Sequence, residues 1–172
     1  MRRAAQLLCV FLSTLALAAP LSAKERLGVY QGWAAFRDPA AHRCYAIAAP
    51  EEMLSKPIRP AFLSIGFWPS RGVTHQVYVR LSYNRSANSG VILSAGDRRF
   101  RLRAAGDGVW ALDSRMDLAV VAAMRSATSL SIETIGRDGQ SIVDTYSLRG
   151  APSAIDAASL GCAGMKTSAP PN

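Results

Sequence analysis

The sequence predicts a mostly β protein, an antiparallel β-sandwich or partly open barrel carrying two short helices. Three observations lead there. Residues 76–83 alternate strictly, with Val77, Val79, Leu81 and Tyr83 interleaved with Gln76, Tyr78, Arg80 and Ser82, the period of a strand with one face on a core and one in water. Further short apolar or aromatic runs recur along the chain, separated by turn-forming clusters. Only two segments show helical spacing.

The chain opens with Arg2 and Arg3, then an apolar stretch from Ala4 to Ala19 interrupted by Gln6, Ser13 and Thr14, then Leu21-Ser22-Ala23. Positive charge, apolar core and a small residue at the cut define residues 1–23 as a secretory signal peptide. The stretch is shorter than the about 20 residues a membrane span needs, and Pro20 and Lys24-Glu25-Arg26 follow it at once. The expectation is an exported protein, periplasmic or secreted and open to outer-membrane association, with no transmembrane span after processing.

Strand-like runs follow at Gly32 to Phe36, Cys44 to Ala48, Ala61 to Trp68, Val91 to Ser94, Phe100 to Arg103, Val109 to Leu112, Leu130 to Ile135 and Ile142 to Leu148. Residues 50–60, with three prolines, read as a loop between strands, and Asp138-Gly139 as a hairpin turn. Asp113 or Ser114 is placed to cap a helix reaching about Arg125, with Met116, Val120 and Met124 on one face. A second helix starts at Ala151-Pro152 and ends at Gly161, immediately before Cys162. One domain, residues 24–165, is expected, with 166–172 as a flexible tail.

Cys9 leaves with the leader, so Cys44 and Cys162 remain. Two cysteines in an oxidising compartment pair. Such a bond closes a 118-residue loop, for which chain entropy gives roughly 5 kcal/mol before strain is subtracted. The alternative, a reactive thiol or a metal site built from His42 and Cys44, has only His75 left as a further imidazole, while zinc takes three or four ligands.

Lys plus Arg number 20 against 12 Asp plus Glu, and without Arg2 and Arg3 the excess is 18 over 12. Two histidines exclude histidine-rich metal clusters, and there is no Gly-x-Ser-x-Gly elbow, no His-Glu-x-x-His pair and no phosphate-cradling loop. No cofactor and no enzyme activity are expected. A weaker alternative is an envelope hydrolase assembled from distant residues around His42 or His75. The basic excess suits nucleic acid, but export argues against it.

The best functional clue is Arg98-Arg99-Phe100-Arg101-Leu102-Arg103. A period of two puts Arg99, Arg101 and Arg103 on one face and Phe100 and Leu102 on the other. Arg80 joins this row if its strand is a neighbour, with Arg71 and Arg85 at the ends. Guanidinium rows attract phosphates and carboxylates, so the expected partner is an anionic envelope component (lipopolysaccharide, lipid head groups or peptidoglycan) or a protein. The plain alternative is a solvated face without a specific partner. Trp33, Phe36, Trp110 and Tyr146 are expected in the core. Trp68, beside Pro69-Ser70-Arg71-Gly72, reads as an exposed loop-tip contact for a glycan or peptide, with Arg71 next to it.

Gly32-Trp33-Ala34-Ala35-Phe36, Cys44-Tyr45-Ala46-Ile47-Ala48 with Pro50 beyond, Gly108-Val109-Trp110, and Asp144-Thr145-Tyr146-Ser147-Leu148-Arg149-Gly150 leading to Cys162 together resemble the invasion-associated locus B family. The resemblance runs from about residue 28 to 163 and rests on the order and spacing of these pieces. It implies an exported β-rich protein of the bacterial envelope, mainly of alphaproteobacteria, and no transferable catalytic residue. A non-catalytic envelope protein is the first expectation; the alternative is a host-contact or invasion factor displayed at the cell surface.

Overall fold

A computed structural model describes residues 23–53 and 57–165. Its strands are β1 (Glu25–Tyr30), β2 (Trp33–Asp38), β3 (Arg43–Ala48), β4 (Glu52–Met53), β5 (Phe62–Trp68), β6 (Val73–Arg80), β7 (Val91–Ala95), β8 (Arg98–Ala105), β9 (Gly108–Trp110), β10 (Ser129–Ile135) and β11 (Ser141–Ser147). The helices are α1 (Ser114–Ser126) and α2 (Ala151–Ala163), and a 3-10 turn spans Pro69–Arg71. Residues 1–22 of the expected signal peptide and the expected tail at 166–172 lie outside the described residues.

All strands join one antiparallel sheet in the order β1-β2-β3-β5-β6-β9-β8-β7-β10-β11-β4. The sheet does not close, since β1 and β4 remain its two edges. The fold class is therefore the mostly β one the sequence predicts, of the sandwich or open-barrel kind. The sheet changes hands at β8, whose residues 98–102 pair with β7 and residues 103–105 with β9.

Two contacts between strands that are not sheet neighbours bring its halves face to face. Trp33 on β2 donates its indole N–H to the Ser147 carbonyl of β11 at 2.8 Å. Ser82, just past β6, donates its hydroxyl to both Asp144 oxygens on β11, at 2.6 and 2.9 Å. Between the halves lies one core that includes Leu63, Ile65, Val79, Leu93 and Ile132.

The helices close that core. Asp113 caps α1 by accepting from the Met116 N–H at 2.8 Å, and Val120, Val121 and Met124 are buried. β9 covers β6 only from Tyr78 to Arg80. Beyond that end the Val77 N–H is taken by the Asp117 carboxylate of α1 at 2.8 Å. On α2, Ala154, Ile155 and Ala158 are fully buried, and the Cys44 and Cys162 sulfurs are bonded, tying the helix to β3 across 118 residues of sequence. Met165 Sδ lies 3.7 Å from each sulfur.

Several boundaries differ from expectation for local reasons. β6 stops at Arg80 because Leu81 turns its N–H to the Asp107 carbonyl and Ser82 to Asp144. Within the segment read as loop, Glu52–Met53 pair with Asp144 and Thr145. β1 is not among the expected strands; it is a bulged edge strand with no buried residue, so alternation does not mark it. α2 continues through Gly161 to Ala163, and the glycine there leaves room for Leu27 of β1, which packs where a Cβ would stand.

Candidate functional site

The arginine row is on the surface. In β8, Phe100 and Leu102 are buried at 7% and 5% exposure, whereas Arg99, Arg101 and Arg103 are exposed on the other face. Arg99 faces Glu133 of β10 at 3.7 Å and keeps 67% of its side chain in solvent. Among the described residues no salt bridge engages Arg101 or Arg103. β8 is interior to the strand order, so the row does not mark a terminal edge strand.

Arg80 does not lie beside that row, because β9 intervenes. It leaves the same outward face, donates Nε–H to the Pro60 carbonyl at 2.7 Å and sits 4.7 Å over the Phe62 ring. Arg85 is committed to its own loop, donating to the carbonyls of Ser86, Ala87 and Ser89. Arg71 is exposed in the 3-10 turn after β5.

The same outward face carries a second feature, on β2, β3, β5, β6 and β9. Trp33 and Tyr146 are fully buried, as expected of core aromatics, but Phe36 and Trp110 are not in the core. They point outward, half-buried, with Tyr45, Phe62, Trp68 and Tyr78. Trp68 is likewise not an exposed loop-tip residue. It ends β5 half-buried, and its ring folds back over Gly66, where a Cβ would collide with it. Trp110 does the same over Gly108 on β9.

The repeated cause is Gly-x-Trp on one strand: positions i and i+2 share a face, and the glycine leaves the flat bed on which the indole lies. Tyr78 stands between these strands, 5.1 Å from Trp110 and 5.5 Å from Phe62, and Phe36 stacks on Tyr45 at 5.4 Å. The result is a cleft of about 400 Å3 whose lining includes Trp68, Tyr78, Trp110, Gln76, Lys24 and Arg43. Among the described residues no carboxylate lines it. Arg43 is held 4.9 Å above the Tyr45 ring and 3.5 Å from Asp38. Burial raises the Tyr45 hydroxyl pKa, against the opposing pull of Arg43. That hydroxyl stays a donor at neutral pH.

Sequence reasoning found Trp68 but not the cleft. The available signal was the twin spacing Gly66-Phe67-Trp68 and Gly108-Val109-Trp110. Arg103 is the register partner of Trp110, so the arginine row begins where the cleft ends.

The histidines stand apart from both features. His42 is exposed in the turn between β2 and β3, and His75 packs edge-on against Phe67 at 4.9 Å. Burial lowers the His75 pKa, and Arg125 lowers it further. No helix among the described residues is long and apolar enough to cross a membrane. No family model matches the chain, and no match was found among the curated proteins or the solved structures.

Proposed function

We propose that the protein is an exported, non-catalytic envelope protein of the invasion-associated locus B type, docking on an anionic envelope component through the outward face of β8. The observation that carries this reading is the row Arg99, Arg101 and Arg103, exposed on one strand face with a single acid at 3.7 Å from its first member. An exposed ion pair of this kind offsets little of the field. Guanidinium groups pair phosphates and carboxylates bidentately, and a row of them fixes orientation as well as affinity.

Export is supported by the leader-like residues 1–23 and by the Cys44–Cys162 bond, which belongs to oxidising compartments. The family reading is supported by the order and spacing of the sequence segments from Gly32 to Cys162.

The test is binding of the processed chain to lipopolysaccharide and to anionic vesicles across a salt series. Each basic residue near an anionic surface contributes about 1 kcal/mol, so replacing Arg99, Arg101 and Arg103 by Ser should weaken low-salt binding about 100-fold. The loss should shrink as salt rises. Equal affinity and equal salt dependence in the wild type and the triple variant reject the docking face.

A further inference from the structure

We propose that the cleft between Trp68 and Trp110 is a saccharide site, taking a carboxylate-bearing pyranose of a glycan strand. This assignment stands on residues other than the arginine row and holds whether or not that row docks.

Three properties of the cleft select the ligand. Its walls are flat aromatic faces already fixed by their packing, with Trp68 and Trp110 laid on glycine and Tyr78 wedged against Trp110 and Phe62. Such planes offer an apolar surface to the C–H face of a sugar ring with little ordering left to complete on binding. The polar groups among them are few: the Gln76 amide and the Ser64 hydroxyl lie in the same lining. The Ser64 hydroxyl already donates to the Tyr78 carbonyl at 3.4 Å, so an acyl chain would leave the Gln76 amide buried without a partner, at a desolvation cost, whereas a ring hydroxyl or an acetamido group would pair it. Finally, the charged side chains in the lining are Lys24 and Arg43, with no acid among the described residues that line it; Asp38 meets Arg43 at 3.5 Å from outside the lining. A carboxylate on the sugar complements the two cations.

The size agrees. A cavity of about 400 Å3 falls in the usual small-ligand range of ~300–1,000 Å3. The register also gives the strand a direction, because a glycan leaving the cleft past Trp110 meets Arg103 first.

The probes are two disaccharides of the same backbone. One joins N-acetylglucosamine to N-acetylmuramic acid and carries a lactyl carboxylate; the other, chitobiose, lacks it. Calorimetric titration of the processed chain should give saturable binding of the first, about tenfold tighter than chitobiose, as a single charge-assisted contact supplies. Trp110→Ala should abolish both. Arg43→Gln, which leaves the aromatic bed intact, should bring the first disaccharide down to the chitobiose level, and it decides the matter should Trp110→Ala fail to fold. The Arg99, Arg101 and Arg103 to Ser variant should bind both disaccharides as the wild type does, even if it no longer docks on vesicles. Absence of saturable binding, equal affinity for the two sugars, binding unchanged by Arg43→Gln, or loss of binding in the triple Ser variant would each overturn the cleft assignment.

Discussion

The two faces of strands β2, β3, β5, β6 and β9 share one period but have different occupants. The inner face carries Ala35, Ala46, Leu63, Ile65 and Val79, all at 0% exposure and covered by helices and by the opposite half of the sheet. The outer face carries six half-buried aromatics with arginines among them, and no element among the described residues covers it. Inside, Trp33 is closed over and its N–H is paired. Outside, Trp110 lies on a glycine bed facing a cavity. The difference shows that alternation in these strands separates two apolar surfaces, one built for cohesion and one left open.

The largest effect should come from the inner side. Replacing Cys44 and Cys162 together by Ser should lower unfolding stability by about 3–5 kcal/mol in urea denaturation, the range for a long closed loop. A loss under about 1 kcal/mol would mean that α2 holds to β3 by packing alone. Trp33→Ala should cost about 3–5 kcal/mol through cavity formation and a carbonyl left unpaired. Trp110→Ala, half-exposed, should cost about 1–2 kcal/mol. Equal losses at the two tryptophans would erase the contrast between the faces.

A smaller effect is pH-dependent. Burial raises the pKa of Asp144, against the lowering by hydrogen bonds from Ser82, and burial likewise raises that of Asp117. A carboxyl with a folded pKa above its unfolded value binds more protons in the native state. Stability is then greatest below the ordinary carboxyl pKa and falls as pH rises through the raised one. Asp144→Asn should flatten that decline, measured as urea midpoints at acidic and neutral pH, with the Asp117 share remaining. A decline unchanged in the variant would show that Asp144 ionises as it does in the unfolded chain. The smallest change in stability should follow Arg99→Ser, Arg101→Ser or Arg103→Ser, each within about 0.5 kcal/mol.

Much of the inner face was legible. Val77, Val79 and Leu81 alternate in sequence and are fully buried in the structure, and Cys44 and Cys162 are paired. The Arg99, Arg101 and Arg103 face was legible for the same reason, since Phe100 and Leu102 fix which side turns inward. β1 and β4 were not. An exposed, bulged strand and a two-residue one carry too little periodic signal, and their position follows from partners distant in sequence. The cleft was hidden differently. Phe36 and Trp110 look like core residues because composition cannot say which of two apolar faces is covered. Only the registers of β3, β5, β6 and β9 bring Tyr45, Trp68, Tyr78 and Trp110 to one side.

The open character of the outer face is tested most directly by backbone amide NMR of the chain from Lys24 onward during titration with lipopolysaccharide fragments at low salt. Shift changes should concentrate on Arg99 to Arg103 of β8 and on β9, leaving the amides of β1 and α2 where they were. Changes centred on α2 and β1, or none at concentrations that saturate binding, would contradict the account.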